Sequence, residues 1–116
     1  MGKLTTHVLN VAAGIPAAGM RIEVFSESQG TTPIGTTQTN ADGRCPEPLI
    51  QGAAFRAGRY SLKFHVAAYF RSLGLPLPEP AFLDEVVVAF GIADPSVNHH
   101  VPLLVSPWSY STYRGS

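Results

Sequence analysis

Eleven glycines and ten prolines are scattered through this 116-residue chain as isolated punctuation, and they cut it into short pieces. Long helices are excluded by that spacing, because each proline removes a backbone donor and each glycine weakens a regular element. The separators are GIPAAG, SQGTTP, NADG, RAG, LPLPEP and DPSVN. Between them lie runs with period-two patterning and β-branched enrichment, which predict strands over residues 5–11, 21–26, 35–39, 59–65, 85–91, 99–106 and 109–113. Short strands at this spacing form a sandwich or a barrel. One stretch dissents. VAAYFRSLG, residues 66–74, holds helix formers, apolar positions at Ala67, Phe70 and Leu73, and a glycine where a helix should stop, so it predicts one short helix between two strands. The length suits a single domain over residues 1–116, burying roughly two-thirds of its surface.

Charge narrows the partners. Only 14% of the residues are charged, against roughly 25% in ordinary soluble domains. Eight basic and eight acidic side chains cancel, so neither nucleic acid nor an anionic membrane surface is an expected partner. A neutral, weakly charged surface suits a protein whose faces meet other subunits. Cys45 is the only cysteine, so no internal disulfide is expected. The start, MGKLTTHVLN, lacks the apolar core of a signal peptide, no stretch approaches the ~20 apolar residues of a membrane span, and the closing RGS is not a peroxisomal address. A soluble, cytoplasmic protein is the expectation.

Two predicted strands break the rule that one face of an antiparallel sheet is wet. In His7–Val11 and in His100–Val105, apolar residues occupy both parities. If Val8, Val101, Leu103 and Val105 fill the core, then His7, Leu9 and Val11 share the opposite face, as do His100, Pro102 and Leu104. In a domain too small for three layers, the second cover is most simply another subunit, and both histidines then point at that interface.

The four histidines are His7, His65, His99 and His100. Adjacent on a strand, His99 and His100 point to opposite faces and cannot grip one metal together. No CxxC, HxH or HExxH spacing occurs, so no metal site is expected. There is no GxSxG elbow, and nothing beside Cys45 would activate a thiol. His65, on the polar parity with Ser61 and Lys63, reads as a surface histidine. Taken alone, His7 reads as an interface or core histidine with its ring nitrogens satisfied by hydrogen bonds, and Arg44, after the turn Asn40–Gly43, as a loop-surface charge.

Three stretches together, HVLNVAAGIPAAG, NADGRCPEPL and HVPLLVSPWSYSTYRGS, resemble the transthyretin-like family, and more closely its enzyme branch, the 5-hydroxyisourate hydrolases. The resemblance runs from Leu4 to Ser116, and the closing YRGS is its most specific element. It implies an all-β, two-sheet sandwich of about eight strands with one short helix. It also implies a homotetramer, a dimer of dimers with sites along a central channel, and no cofactor. The implied substrate is 5-hydroxyisourate, whose ring amide is opened to 2-oxo-4-hydroxy-4-carboxy-5-ureidoimidazoline. By resemblance the catalytic trio falls on His7, Arg44 and His100, and the signature tetrapeptide on Tyr113, Arg114, Gly115 and Ser116. His7 would activate water with help from Ser116, Arg44 would hold substrate oxygens, and His100 would orient the ring or return the proton. Tyr113 and Arg114 would contact substrate, and the tail would wall the site. One departure stands out: relatives commonly carry H-Y-H before V/I-P-L, where this chain has Asn98-His99-His100, so catalysis falls to His100 and His99 points away. Trp108 replaces a common tyrosine. The rival reading is a carrier of thyroid-hormone-like aromatic ligands. That branch has lysine, glutamate and threonine at the positions of His7, Arg44 and His100, and continues past YRGS. A sandwich with no ligand at all would leave the histidine-bearing interface without a use.

Overall fold

The computed structural model describes residues 2–115, and eleven short strands and one α-helix are found there. One layer is an all-antiparallel sheet in the order β5 (Gly35–Gln38), β4 (Arg21–Ser26), β7 (Gly58–Phe64) and β8 (Val86–Ile92). The facing layer is built from two hydrogen-bonded groups. The first has the order β6 (Ile50–Gln51), β1 (Lys3–Thr5), β9 (His99–His100). The second has the order β11 (Tyr110–Thr112), β10 (Leu103–Val105), β2 (Val8–Asn10), β3 (Ile15–Pro16). β1 runs into β2 through Thr6 and His7, and β9 into β10 through Val101 and Pro102, with parallel pairing on both sides of the gap. The facing layer is therefore one sheet with a break across its middle.

The strands predicted over 5–11 and 99–106 are each divided at this break. Pro102 has no amide hydrogen to give, and the neighbouring Val101 carbonyl is taken by the Thr6 hydroxyl instead of a strand amide. Parity survives the interruption. Leu4, Val8, Leu103 and Val105 are fully buried and Val101 nearly so, while His7, Leu9, His100 and Leu104 are half-buried on the other side. β3 and β6 are too short for periodicity to reveal them.

The core lies between the layers. Ile22, Val24, Leu62, Phe64, Val86 and Val88 from the antiparallel sheet pack in one cluster with Leu4, Val8, Leu103 and Val105 from the broken one. The helix α1, Val66–Ser72, caps one end of it. Its buried residues are Val66, Ala67, Tyr69 and Phe70, a stripe at helical spacing, and Gly74 follows with φ 83°. Leu73, expected on the buried face, is 49% exposed because the helix has already ended there. Asn10, buried in β2, donates through Nδ2 to the Tyr69 hydroxyl at 3.2 Å and so ties the helix to the broken sheet. At the other end of the helix His65 departs from its expected surface role: its Nε2 lies 2.6 Å from Glu23 and its Nδ1 3.5 Å from Glu85, so the ring is half-buried between two carboxylates. The hydrogen bond from His65 holds the Glu23 carboxyl below its ordinary value.

Phe70 is fully buried between the helix and the sheets. Phe70→Ala should cost about 3–5 kcal/mol of stability, read as a lowered midpoint in urea denaturation with an unchanged slope.

Candidate functional site

The break in the sheet is where the chemistry-bearing residues gather. Beyond the last paired residues of β1, the chain turns Thr6 inward and presents His7 outward. The His7 carbonyl accepts the Leu103 amide at 2.9 Å, which keeps the ladder in register. On its other side His7 pairs in a single antiparallel bridge with Arg44. Arg44 follows a turn closed on Asn40, whose side-chain oxygen accepts the amides of Asp42 at 2.9 Å and Arg44 at 3.2 Å. The Val8 amide donates to the Gly43 carbonyl at 2.8 Å, and Gly43 has φ 74°. A Cβ at Gly43 would sit 2.5 Å from the Val8 carbonyl oxygen. Only glycine lets this turn close on β2 and set Arg44 opposite His7.

The chain's far end arrives from the opposite side. Gly115 donates its amide to the His100 carbonyl at 2.8 Å, and a Cβ there would meet His100 Cδ2 at 2.8 Å. The tail is thus laid directly against the second histidine.

The two imidazoles touch. His7 Nδ1 lies 2.8 Å from His100 Nε2, with ring centroids 5.0 Å apart and planes 19° from parallel. His100 Nδ1 lies 2.7 Å from Thr5 Oγ1. A hydrogen bond between two ring nitrogens needs one proton between them, so the pair is satisfied while uncharged. Electrostatics agree. Burial first, then the neighbouring His100 and Arg44, holds His7 below its ordinary value of 6.5. Burial and then Arg44 lower His100 from the same value. Both rings are therefore neutral at pH 7 and able to accept a proton. The sign for stability follows: below about pH 6.5 the unfolded chain binds these protons before the folded one, so folding stability falls as the pH drops through that window.

His7, Arg44, His100 and Tyr113 line one open cleft of about 490 Å³, along with Lys3, Thr5 and Cys45. No acidic side chain lines it among the described residues, whose charged groups there are Lys3 and Arg44. Such a cleft can hold an oxygen-rich or anionic molecule against two bases. Cys45 is half-buried, and burial pushes its thiol up, away from the thiolate form. Among the described residues no group of His, Cys, Asp and Glu is arranged to hold a metal ion.

One expected site residue stands elsewhere. Arg114 lines an adjoining groove of about 310 Å³ floored by Val88–Gly91 of β8, and Tyr113 and His100 form the wall common to both spaces. Ser116, expected to assist His7, lies outside the described residues. His99 is buried, packs edge-on against Phe55 at 5.7 Å, and faces away from the cleft with Nδ1 3.1 Å from the Val97 carbonyl. Thr5 and Lys3 were not singled out by sequence reasoning. The signal was available, since both share a strand face with His7 at two-residue spacing.

Comparison with known proteins bears on what this cleft does. Residues 4–115 match the model of the HIUase/Transthyretin family. A protein of Pseudomonas aeruginosa named 5-hydroxyisourate hydrolase is 56% identical, covering 100% of this chain and 93% of its own. Another of the same name from Ralstonia nicotianae is 56% identical over 100% of both chains. Among solved structures, 5-hydroxyisourate hydrolase of Klebsiella pneumoniae superposes with a TM-score of 0.83 at 30% identity, covering 100% of both chains. An (S)-allantoin synthase superposes with a TM-score of 0.93 at 44% identity over 99% of this chain, which spans only 44% of that one. Sea bream transthyretin in complex with thyroxine gives 0.85 at 29% identity, over 97% of this chain and 94% of its own.

Arg44→Gln removes the positive charge that adds to burial in holding both imidazoles down, while leaving the backbone bridge to His7. The titration midpoints of His7 and His100, followed by NMR of the ring carbons, should both move upward toward 6.5.

Proposed function

This chain belongs to the HIUase/Transthyretin family, and from that membership we propose that it hydrolyses 5-hydroxyisourate, opening a ring amide to release a carboxylate. The observation that carries the reading is the hydrogen-bonded, uncharged His7–His100 pair set beside Arg44 in a cleft with no acidic lining among the described residues. Relatives at 56% identity named 5-hydroxyisourate hydrolase favour it over a hormone carrier, to which the likeness is 29%.

The reaction needs a nucleophilic water, a place for the developing oxyanion and a proton for the departing ring nitrogen. His7 has one nitrogen committed to His100, and its Nε2 has no protein partner among the described residues. That nitrogen takes a proton from water as the oxygen attacks the ring carbonyl carbon. Negative charge then grows on the carbonyl oxygen, where the Arg44 guanidinium, permanently charged and planar, stabilises it. Collapse of the tetrahedral intermediate breaks the carbon–nitrogen bond, and the proton held by the histidine pair goes to the leaving nitrogen. Tyr113 closes the cleft on the side of the tail and offers its hydroxyl to substrate. Arg114 meets substrate from the adjoining groove, and Ser116 assists His7 in activating the water. No cofactor or metal enters this scheme.

The functional assembly is a homotetramer, a dimer of dimers. Support comes from the outward face of the broken sheet, where Pro16, Leu9 and Leu104 lie in one cross-strand row on the same side as His7 and His100. A second copy covering that row turns an open cleft into a walled channel. We place the protein in the cytoplasm. Among the described residues no helix is long and apolar enough to cross a membrane.

With 5-hydroxyisourate generated in place by urate oxidase and followed by its absorbance decay, His7→Ala and Arg44→Ala should each lower kcat/KM by about 10²–10³-fold. Wild-type turnover in His7→Ala would overturn the assignment. Leu104→Asp should reduce the mass measured by light scattering from four chains to fewer, by placing a carboxylate in the covered row.

A further inference from the structure

The His7–His100 pair does not end at His100. Thr5 stands directly opposite His100 in the parallel register of β1 and β9, and its hydroxyl oxygen lies 2.7 Å from His100 Nδ1. That contact is the only side-chain hydrogen bond Thr5 makes among the described residues, and Thr5 also lines the cleft. The result is a continuous line: Thr5 Oγ1, His100 Nδ1 and Nε2, His7 Nδ1 and, at the open end, His7 Nε2. His7 Nε2 is bonded to no side chain among the described residues, and His7 lines the cleft.

A line of this kind has a direction. If Thr5 donates to His100 Nδ1, then His100 donates from Nε2 to His7 Nδ1, and His7 Nε2 must carry a proton. If Thr5 accepts from His100 Nδ1, every donor reverses and His7 Nε2 holds a lone pair. The orientation of one hydroxyl, two residues away in sequence, thus decides whether the cleft meets a base or a proton donor.

Taking the cleft as the hydrolytic site proposed above, we propose that Thr5 is a positioning residue whose hydroxyl oxygen accepts the His100 Nδ1 proton, fixing both rings in the tautomers that leave His7 Nε2 free to deprotonate water. The charged stage requires the same direction. When His7 Nε2 gains the water proton, its Nδ1 proton passes to His100 Nε2, and His100 keeps its own Nδ1 proton. One proton has entered the line, one has shifted along it and none has been lost. His100 is then an imidazolium with two donors and no lone pair, so its outer neighbour must be an acceptor, and the Thr5 oxygen is the acceptor in place. Arg44 opposes charge on both rings. The titratable and charged groups lining the cleft with the pair are Lys3 on β1, Arg44 on the turn, Cys45 beside it and Tyr113 in the tail, with no carboxylate among the described residues, so among those residues Thr5 is the acceptor at His100 Nδ1.

Thr5→Val keeps the shape and removes the acceptor, whereas Thr5→Ser keeps the acceptor. In Thr5→Val, kcat on freshly generated 5-hydroxyisourate should fall ~10-fold or more with little change in KM, since outer hydrogen-bond partners of functional histidines commonly carry that much. Its acid limb should move to lower pH, because the imidazolium has lost a stabilising acceptor. Thr5→Ser should restore both. Nitrogen-15 NMR of the wild-type rings should show His100 protonated at Nδ1 and His7 at Nδ1, a preference lost in Thr5→Val. Wild-type kcat and pH profile in Thr5→Val, or a wild-type His100 protonated at Nε2 instead, would overturn the proposal. The NMR result decides the tautomers even if wild-type protein proves inactive on 5-hydroxyisourate, an outcome that would sink the reaction and not the hydrogen-bonded line. It also decides them if Thr5→Val fails to fold.

Discussion

The parallel pairing of the first strands with the last holds everything else in place. His7 and His100 are 93 residues apart in sequence, yet their rings share a hydrogen bond because β1 and β2 lie alongside β9 and β10 in fixed register. A slip by one residue would send each histidine to the opposite face of the sheet and bury it in the core. The register is secured from the core side by Leu4, Val8, Leu103 and Val105, all fully buried. Apolar packing on one face thus fixes the geometry of polar groups on the other.

The break in the pairing matters as much as the pairing. Because Pro102 cannot donate and Thr6 satisfies Val101 through its hydroxyl, the ladder opens at the level of the two histidines. The Arg44 turn enters from one side and the tail from the other, each by a single bridge. Both approaches need glycine, Gly43 for its left-handed backbone and its closeness to Val8, Gly115 for its closeness to His100. A guanidinium and two imidazoles are brought together with no acidic side chain lining their cleft among the described residues. Partial burial of the rings, and after it the neighbouring Arg44 charge, then favours their neutral forms, which is the state a base requires.

Much of this was legible in the chain. The alternation around Val8, Val101, Leu103 and Val105 identified core and outward faces correctly, because parity depends only on the pleat and survives a local break. The helix after β7 was legible from its composition and from Gly74. His99 pointing away from the cleft followed from its adjacency to His100. What escaped were elements of two residues, β3 and β6, which carry no periodicity, and the role of His65, whose partners Glu23 and Glu85 come from other strands. Leu73 was misplaced because apolar spacing marks a face and not where the helix stops.

The sequence by itself determined which residues face inward and which outward, where the chain must turn, and that a family motif joined two histidines and an arginine. These are local matters, decided by the geometry of consecutive residues and the conformations glycine and proline permit. Only the tertiary structure decided that His7 and His100 share a proton, that Thr5 stands at the end of their line, and that Arg114 lines the neighbouring groove while Tyr113 borders both. Those facts depend on distances of a few ångströms between segments far apart in the chain, and such distances are set by the packing of two sheets against one core.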